Sequence, residues 1–525
     1  MKQILAILLV AMLLAMSCIL LACNPDEHPN QPDPTEDNYR VFYQIFVGSF
    51  SDSNNDGVGD LRGIINRFDY LNDGNMNSTK SLGVQGIWLS PIFTSPSYHK
   101  YDVKDYYEID PKFGTMEDLE ELIELCHSRN VKLILDLVLN HTSNQHQNFK
   151  KFVEAHQQND KSSPYYDYYA HGTSSELSGR IVHRIPGTNG FYEGNFSGDM
   201  PEPNFDVPQV RQDVLDVAKF YLDKGIDGFR FDAVKYIYSG DAQQSIEFWD
   251  WYMAELKKIK PDIYCVGECW SADTEILQYN TALNCFAFQM SGSEGVITNG
   301  AKPTGSINDF TNYVVNFLGK LQTSNSESMF VPFFSNHDQD RSAGYPSYTN
   351  KQMAASMYIL CSGSPFIYYG EEIGLRGSRG SANTDANRRL AMLWGDGDTV
   401  QNPEGTTYAD KNQIKDTVVM QNDDESSMLN HYRKLISIRL RHPEIARGSY
   451  TALSFNSSKF GGFKVDYNGS TLFILHNTGE DELVIDLSLT NPYQYNKIVE
   501  CIGFGTAKLE GSVLTIGPKT SIIIK

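Results

Sequence analysis

Three acidic residues raise the first question. Asp232, Glu268 and Asp338 each close a short apolar run, "GFRFD", "IYCVGE" and "FFSNHD". Carboxylates at the C-terminal ends of buried strands can converge on one site. Two of them about 5–5.5 Å apart can break a glycosidic bond with retention: one attacks the sugar carbon, the other protonates the leaving oxygen. Asp232 suits the attacking role. Arg230 lies two residues earlier, so on a strand it shares the same face, and its guanidinium would keep the aspartate ionised. Glu268 suits the acid, because apolar and aromatic neighbours and nearby carboxylates would raise its pKa. Asp338 and His337 would then hold sugar hydroxyls in the transition state. Any one of these alone is an ordinary polar residue at a strand end; their matching positions carry the argument.

The elements that must position them alternate along the chain. Strand-like runs are "YRVFYQIFV", "GVQGIWLSP", "VKLILDLVLNH", "IDGFRFDAV", "IYCVGECW", "ALNCFAFQM", "SMFVPFFSNHD" and "SPFIYYGEE". Between them lie stretches with apolar residues at three-to-four spacing, such as "MEDLEELIELCHSRN", "VRQDVLDVAKFYLDKG" and "INDFTNYVVNFLGKLQ", which predict amphipathic helices. "SMLNHYRKLISIRLRHPEI" reads as a closing helix. The order predicts an α/β fold, a (β/α)8 barrel. No strand is followed by a Gly-rich dinucleotide turn, which disfavours a doubly wound open sheet. Thr142 to about Asn204 is rich in Tyr, Gly, Ser and Asn and lacks a clear helix pattern. It reads as a small inserted domain after the third strand. Beyond Arg447 short alternating strands such as "STLFILHN" predict an antiparallel β-sandwich. The expected units are a barrel over 39–141 and 206–447, an insertion over 142–205 and a β domain over 448–525.

With these motifs in order, "DLVLNH", "GFRFDAVKY", "GECW" and "SNHD", the chain resembles the α-amylase family of glycoside hydrolases from about Tyr39 onward. The resemblance implies Asp232 as nucleophile, Glu268 as acid/base and Asp338 as transition-state stabiliser, with His141, Arg230 and His337 in the same subsite. It also implies substrate contacts from Tyr98 and Tyr101 in "SPSYHKYDVKDYY". Exo-acting oligo-1,6-glucosidases usually carry Asp at the position of Tyr98, so Tyr there favours an open, endo-acting cleft. Lys235 matches a contact on the leaving-group side. Together these imply hydrolysis of internal α-1,4 bonds in starch-like glucans. "MPEPNFDVP" departs from the family's usual Pro-Asp-Leu-Asn, which leaves cyclodextrin or pullulan cleavage and glucosyl transfer open. A non-catalytic glucan-binding lipoprotein would lack one of the carboxylates, and none is missing.

"DSNNDGVGD", Asp52 to Asp60, carries oxygen donors on alternate residues. An EF-hand needs Glu at the twelfth position, which here is Gly63, and an entering helix, whereas a strand precedes this loop. The expectation is a structural Ca2+ held by side-chain oxygens of Asp52, Asn54, Asp56 and Asp60 and the carbonyl of Val58. The resemblance implies a second calcium, between barrel and insertion, using Asn140.

Of 525 residues 41% are hydrophobic and 12% aromatic, enough for large cores, and the net charge of −21 disfavours nucleic acid and anionic lipid as partners. The N-terminus reads as a signal peptide over 1–22: Lys2, then the apolar run "ILAILLVAMLLAMSCILLA". "LLAC" resembles a lipobox, which predicts lipidation of Cys23, a membrane tether and an extracytoplasmic location. Residues 23–38, rich in Pro, Asp and Asn, read as a flexible linker. The remaining cysteines show no metal-site spacing and are expected as buried free thiols. A monomer acting on an α-glucan is the expected working form.

Overall fold

Parallel strands covered by helices bury both faces and read as nearly unbroken apolar runs. That is how the short runs behave in the computed structural model, which describes residues 35–345, 350–409, 412–489 and 493–525. The barrel strands are Phe42–Ile45, Gly86–Leu89, Lys132–Leu137, Gly228–Phe231, Tyr264–Gly267, Asn284–Cys285 and Phe366–Tyr368. They lie side by side in the order six, five, four, three, two, one, eight. The seventh place is taken by the run around Val331. It pairs through single parallel bridges, Phe286 with Val331 on one side and Phe333 with Phe366 on the other. Pro332 lies between them and has no N–H to offer a ladder, but its carbonyl accepts from the Phe366 N–H at 2.9 Å. The ring of eight is thereby closed. Side chains fill its interior: Phe42 stacks on Tyr264 at 4.5 Å and on Phe366 at 4.7 Å.

The outer helices form where the spacing places them, including Met116–Ser128, Pro208–Asp223, Ala242–Ile259, Ile307–Ser324 and Met428–Arg441. The first of these opens on a reciprocal cap, with the Thr115 side chain on the Asp118 N–H and the Asp118 side chain on the Thr115 N–H, which satisfies two otherwise orphaned donors.

The insertion corrects one expectation. It contains a helix, Gln147–Gln158, whose buried face is only Phe149, Phe152 and Ala155. Three apolar residues among Gln, Lys and His give a faint pattern, and His146 caps the helix in place of the usual Ser, Thr, Asp or Asn. A small antiparallel sheet of His171–Gly172, Val182–Arg184 and Phe191–Glu193 completes the segment.

After Arg447 come a five-stranded and a three-stranded antiparallel sheet. Their alternation divides two cores. Phe463, Val465, Leu472, Ile474 and Ile523 join the barrel core, whereas Phe460, Phe473, Leu475, Ile522 and Ile524 pack with Leu514 and Ile516. Successive strand residues point to opposite faces, so one strand serves both cores.

The signal peptide, Cys23 and residues 24–34 of the expected linker lie outside the described residues. Its last residues rest against the barrel: Arg40 Nη2 donates to the Thr35 carbonyl at 2.6 Å, and Asp37 pairs with Arg447 at 2.7 Å. Among the described residues no helix is long and apolar enough to cross a membrane. Cys126, Cys265, Cys269, Cys285 and Cys361 are buried free thiols, and Cys501 is an exposed one.

Candidate active site

The third strand delivers Asp136 to the barrel mouth, the fourth Arg230, and the two pair across the ladder. Arg230 is fully buried. Its Nη1 donates to Asp136 Oδ1 at 2.8 Å and Asp232 Oδ1 at 2.6 Å, and its Nη2 lies 3.1 Å from Glu268 Oε2. One guanidinium fork therefore gathers three carboxylates from three strands. Just past Asp232 the chain turns sharply, with Ala233 at φ 42°, a left-handed conformation that a side chain rarely adopts. The turn aims the Ala233 N–H at Glu268 Oε2, 3.1 Å away.

A single positive charge cannot balance three negative ones. Burial, reinforced by Asp232 and Asp338, pushes the Glu268 carboxyl up to about 8 against the pull of Arg230. Burial with Asp232 likewise raises Asp136 to about 7. Asp136 also accepts from Trp88 Nε1 at 3.2 Å and Tyr101 OH at 2.8 Å.

The end of the seventh strand brings His337 and Asp338. Gln44 Nε2 sits 2.7 Å from His337 Nδ1, which assigns the ring proton to Nε2. That nitrogen is 2.6 Å from Tyr101 OH and 3.0 Å from Asp338 Oδ2. Burial lowers the imidazole pKa against the pull of Asp338. Burial alone would raise the Asp338 carboxyl, but His337 and Arg389 outweigh it and hold it far below the usual range. Arg389 enters from the loop after the eighth strand. Its Nη2 donates to Asp338 Oδ1 at 2.8 Å, its Nη1 to Tyr98 OH at 3.1 Å and its Nε to the His337 carbonyl at 3.1 Å.

A cleft of about 710 Å3 opens above these groups, lined by Tyr98, Tyr101, His141, Asp232, Lys235, Glu268 and Asp338. Arg230 and His337 lie beneath it and hold the others. All nine catalytic and substrate residues expected from the sequence thus come together. Lys235 Nζ donates to the Trp270 carbonyl at 2.9 Å, joining the loops after strands four and five. Asp136 and Arg389 complete the network without having been singled out. Asp136 was visible as a strand end, but Arg389 lies in a loop with no apolar period to mark it. Two half-exposed rings, Phe196 at 47% and Trp270 at 49%, also face the cleft. Phe196 comes from the insertion and leans on His141 at 5.2 Å and Tyr236 at 4.9 Å.

The family described as "Alpha amylase, catalytic domain" matches residues 44–448, most of the chain. The chain belongs to the alpha-amylase family. "Alpha-amylase 3" of Dictyoglomus thermophilum is 34% identical over 92% of this chain and 93% of its own length. An oligo-1,6-glucosidase of Bacillus cereus is 30% identical, over 85% of this chain and 91% of its own. A 4-alpha-glucanotransferase of Thermotoga maritima is 28% identical, over 86% and 99%. Among solved structures, Eubacterium rectale Amy13B superposes with a TM-score of 0.86 at 34% identity, covering 95% of this chain and 97% of that one.

In this alpha-amylase family enzyme the loop expected to hold calcium is a chain of tight turns. Asp52 Oδ1 accepts from the Asn54 and Asn55 N–H groups, Oδ2 from Gly57 N–H at 2.8 Å and from Thr399 OH at 2.6 Å. Asn54 Oδ1 accepts from Asp56 N–H, Asp56 Oδ1 from Val58 N–H, and Asp60 caps the next helix through Gly63 N–H. The donors are the hard oxygens Ca2+ prefers. Among the described residues, however, no three Asp, Glu, His or Cys side chains are gathered to hold a metal ion, and the loop is braced by its own N–H groups. At the second expected site Asn140 is buried, its Nδ2 lies 2.8 Å from His141 Nδ1, and its Oδ1 has no partner. An orphaned buried carbonyl oxygen suits a hard cation.

Proposed function

We propose that this enzyme is a retaining, endo-acting hydrolase of internal α-1,4-glucosidic bonds in starch-like glucans and maltooligosaccharides. The observation that carries it is the Arg230 fork, which holds Asp232 and Glu268 close together while Glu268 stays protonated up to about 8. Two carboxyls tied to one guanidinium suit the retaining separation of about 5–5.5 Å better than the wider spacing that admits an inverting water. Asp232 attacks the anomeric carbon as Glu268 gives its proton to the leaving oxygen. The aglycone departs as an alcohol and the glycosyl group stays bonded to Asp232. Glu268, now ionised, takes a proton from water, whose oxygen displaces Asp232 and restores both groups. His337 and Asp338 hold hydroxyls of the glycosyl ring.

A second reading, transfer to a sugar acceptor, draws on Phe196 and Trp270. Exposed rings lining the cleft can seat an acceptor sugar in place of water. The glucanotransferase and glucosidase relatives keep both readings in play. We further propose a Ca2+ at Asp52, Asn54, Asp56, Val58 and Asp60, a second using Asn140 Oδ1, and a lipid tether through Cys23 that places the monomeric enzyme outside the cytoplasm.

Product analysis on soluble starch, pullulan and cyclodextrin tests the activity. Mixed maltooligosaccharides early in starch digestion are the expected result. Glucose or panose alone would overturn endo α-1,4 cleavage, and elongated glucans would favour transfer.

A further inference from the structure

The segment that carries Asp338 is gripped by two adjacent arginines from a different loop. Arg389 Nη2 donates to Asp338 Oδ1 at 2.8 Å, and its Nε reaches the His337 carbonyl at 3.1 Å. Arg388 Nη1 donates to the Asp338 carbonyl at 2.6 Å and to Asp385 Oδ1 at 2.9 Å, while its Nε reaches Asp340 Oδ1 at 2.8 Å. Asp340 Oδ1 also accepts from the Arg379 N–H at 2.9 Å, and the Arg379 guanidinium pairs with Asp385 at 3.1 Å. The loop after the eighth strand is therefore fastened along the loop after the seventh by charge-assisted bonds, which are stronger and shorter than neutral ones.

The two arginines hold different things. Arg388 fixes the backbone at Asp338 and leaves its carboxylate alone. Arg389, only 5% exposed, bonds the carboxylate itself at Oδ1, and its other two donors seat the planar guanidinium on Tyr98 and the His337 carbonyl, a three-point geometry that a lysine's single ammonium would not reproduce. Arg389 is in turn seated by Tyr98 OH at 3.1 Å and lies over the rings of Phe46 and Tyr98 at 5.4 and 5.7 Å. Tyr98, Arg388 and Arg389 line the same cleft as Asp232, Glu268 and Asp338, so the clamp borders the space in which the sugar is held.

We propose that Arg388 and Arg389 form a two-point clamp that positions Asp338 against the retained sugar ring, with Arg389 orienting the carboxylate and Arg388 the main chain. The inference rests on the hydrolase reading above, because it takes Asp338 to act on that ring. A group held within a fraction of an ångström of its working place loses about 10²-fold when it shifts by 1 Å. The cost falls on kcat if Asp338 acts chiefly in the transition state.

The test compares wild type with Arg389→Lys, Arg389→Ala and Arg388→Gln on a maltooligosaccharide, after thermal melts have identified the folded variants. Arg389→Lys keeps the charge and loses the fork. The expected result is a fall in kcat of about 10²-fold with a much smaller change in KM. Arg389→Ala should fall further and should also move the acidic limb of kcat/KM to higher pH, because a cation that favours ionised Asp338 has gone. Arg388→Gln, which leaves the carboxylate contact intact, should lower kcat without moving that limb. Folded Arg389 variants with wild-type kcat and an unmoved limb would overturn the clamp, as would losses in all three variants that simply follow the melting temperature. A wild-type enzyme inert on every α-glucan would instead sink the hydrolase reading, and that outcome is read before any variant is made.

Discussion

At the residue scale the chemistry turns on one cation among several carboxylates. Arg230 bonds Asp136 and Asp232 and lies beside Glu268, and burial, with the negative charge of Asp232 and Asp338, raises Glu268 to about 8 against its pull. In the proposed mechanism Glu268 is active while protonated, so kcat/KM should decline as pH rises through about 8. Glu268→Gln should lower kcat on maltooligosaccharides by about 10²–10⁴-fold and flatten that decline. An unchanged basic limb in the variant would remove Glu268 from the role. The same shift has a consequence for stability. The folded-state pKa lies above the ordinary 4.5, so between those values the native protein keeps a proton that the unfolded chain releases. Stability therefore falls as pH rises across that window. Asp232, Glu268 and Asp338 were legible in sequence because each ends an apolar run, and strand ends are where a barrel builds its site. Arg389 was not legible. What gives it a role is the proximity of two loops, and no local pattern encodes that.

At the element scale, strands were easier to read than caps and turns. The seventh strand is a pair of bridges around Pro332 rather than a ladder, yet its run "MFVPFF" stayed recognisable because burial on both sides demands apolar residues whether or not the ladder is regular. The helix Gln147–Gln158 was missed because its contact face is three residues wide. The loop Asp52–Asp60 poses the opposite problem, a strong pattern with two physical uses. Its side chains already accept from N–H groups of their own turn, and the proposed Ca2+ would share those oxygens. Asp52→Ala should cost about 0.5–1.5 kcal/mol whether or not calcium is present, since it removes the acceptor that ties the turn's half-exposed N–H groups together. If the ion is bound, EDTA should lower the melting temperature of the wild type and have a smaller effect on Asp52→Ala. A wild-type melting temperature indifferent to both EDTA and added CaCl2 would rule the calcium out and leave a self-braced turn.

At the scale of the whole molecule, the terminal β domain is part of the barrel's core. The alternation expected of strands such as "STLFILHN" fails at its centre, where "LFIL" is an unbroken apolar run. Such a run signals burial on both faces, although nothing in it says which face meets which partner. The structure assigns Leu472 and Ile474 to the barrel core and Phe473 and Leu475 to the sandwich. Phe463 lies 6.0 Å from Phe310 of the helix Ile307–Ser324, Asn308 Nδ2 donates to the Ser457 carbonyl at 2.9 Å, and Arg441 and Glu444 pair with Glu500 and Lys525 at 2.8 Å each. Each large apolar side chain removed from water contributes about 1.5–3 kcal/mol. Five of them on one sheet face approach the roughly 5–15 kcal/mol by which a whole domain is stable. A chain of residues 39–447 keeps every residue of the proposed active site and loses that face. It should fail to show the cooperative melt of the 39–525 chain and should aggregate through the uncovered helix. Maltooligosaccharide hydrolysis by the shorter chain should vanish with the melt, although Asp232, Glu268 and Asp338 are all present. If the 39–447 chain melts cooperatively within a few degrees of the 39–525 chain and keeps its kcat, the terminal sheet is a detachable module and the shared core contributes far less than its burial implies.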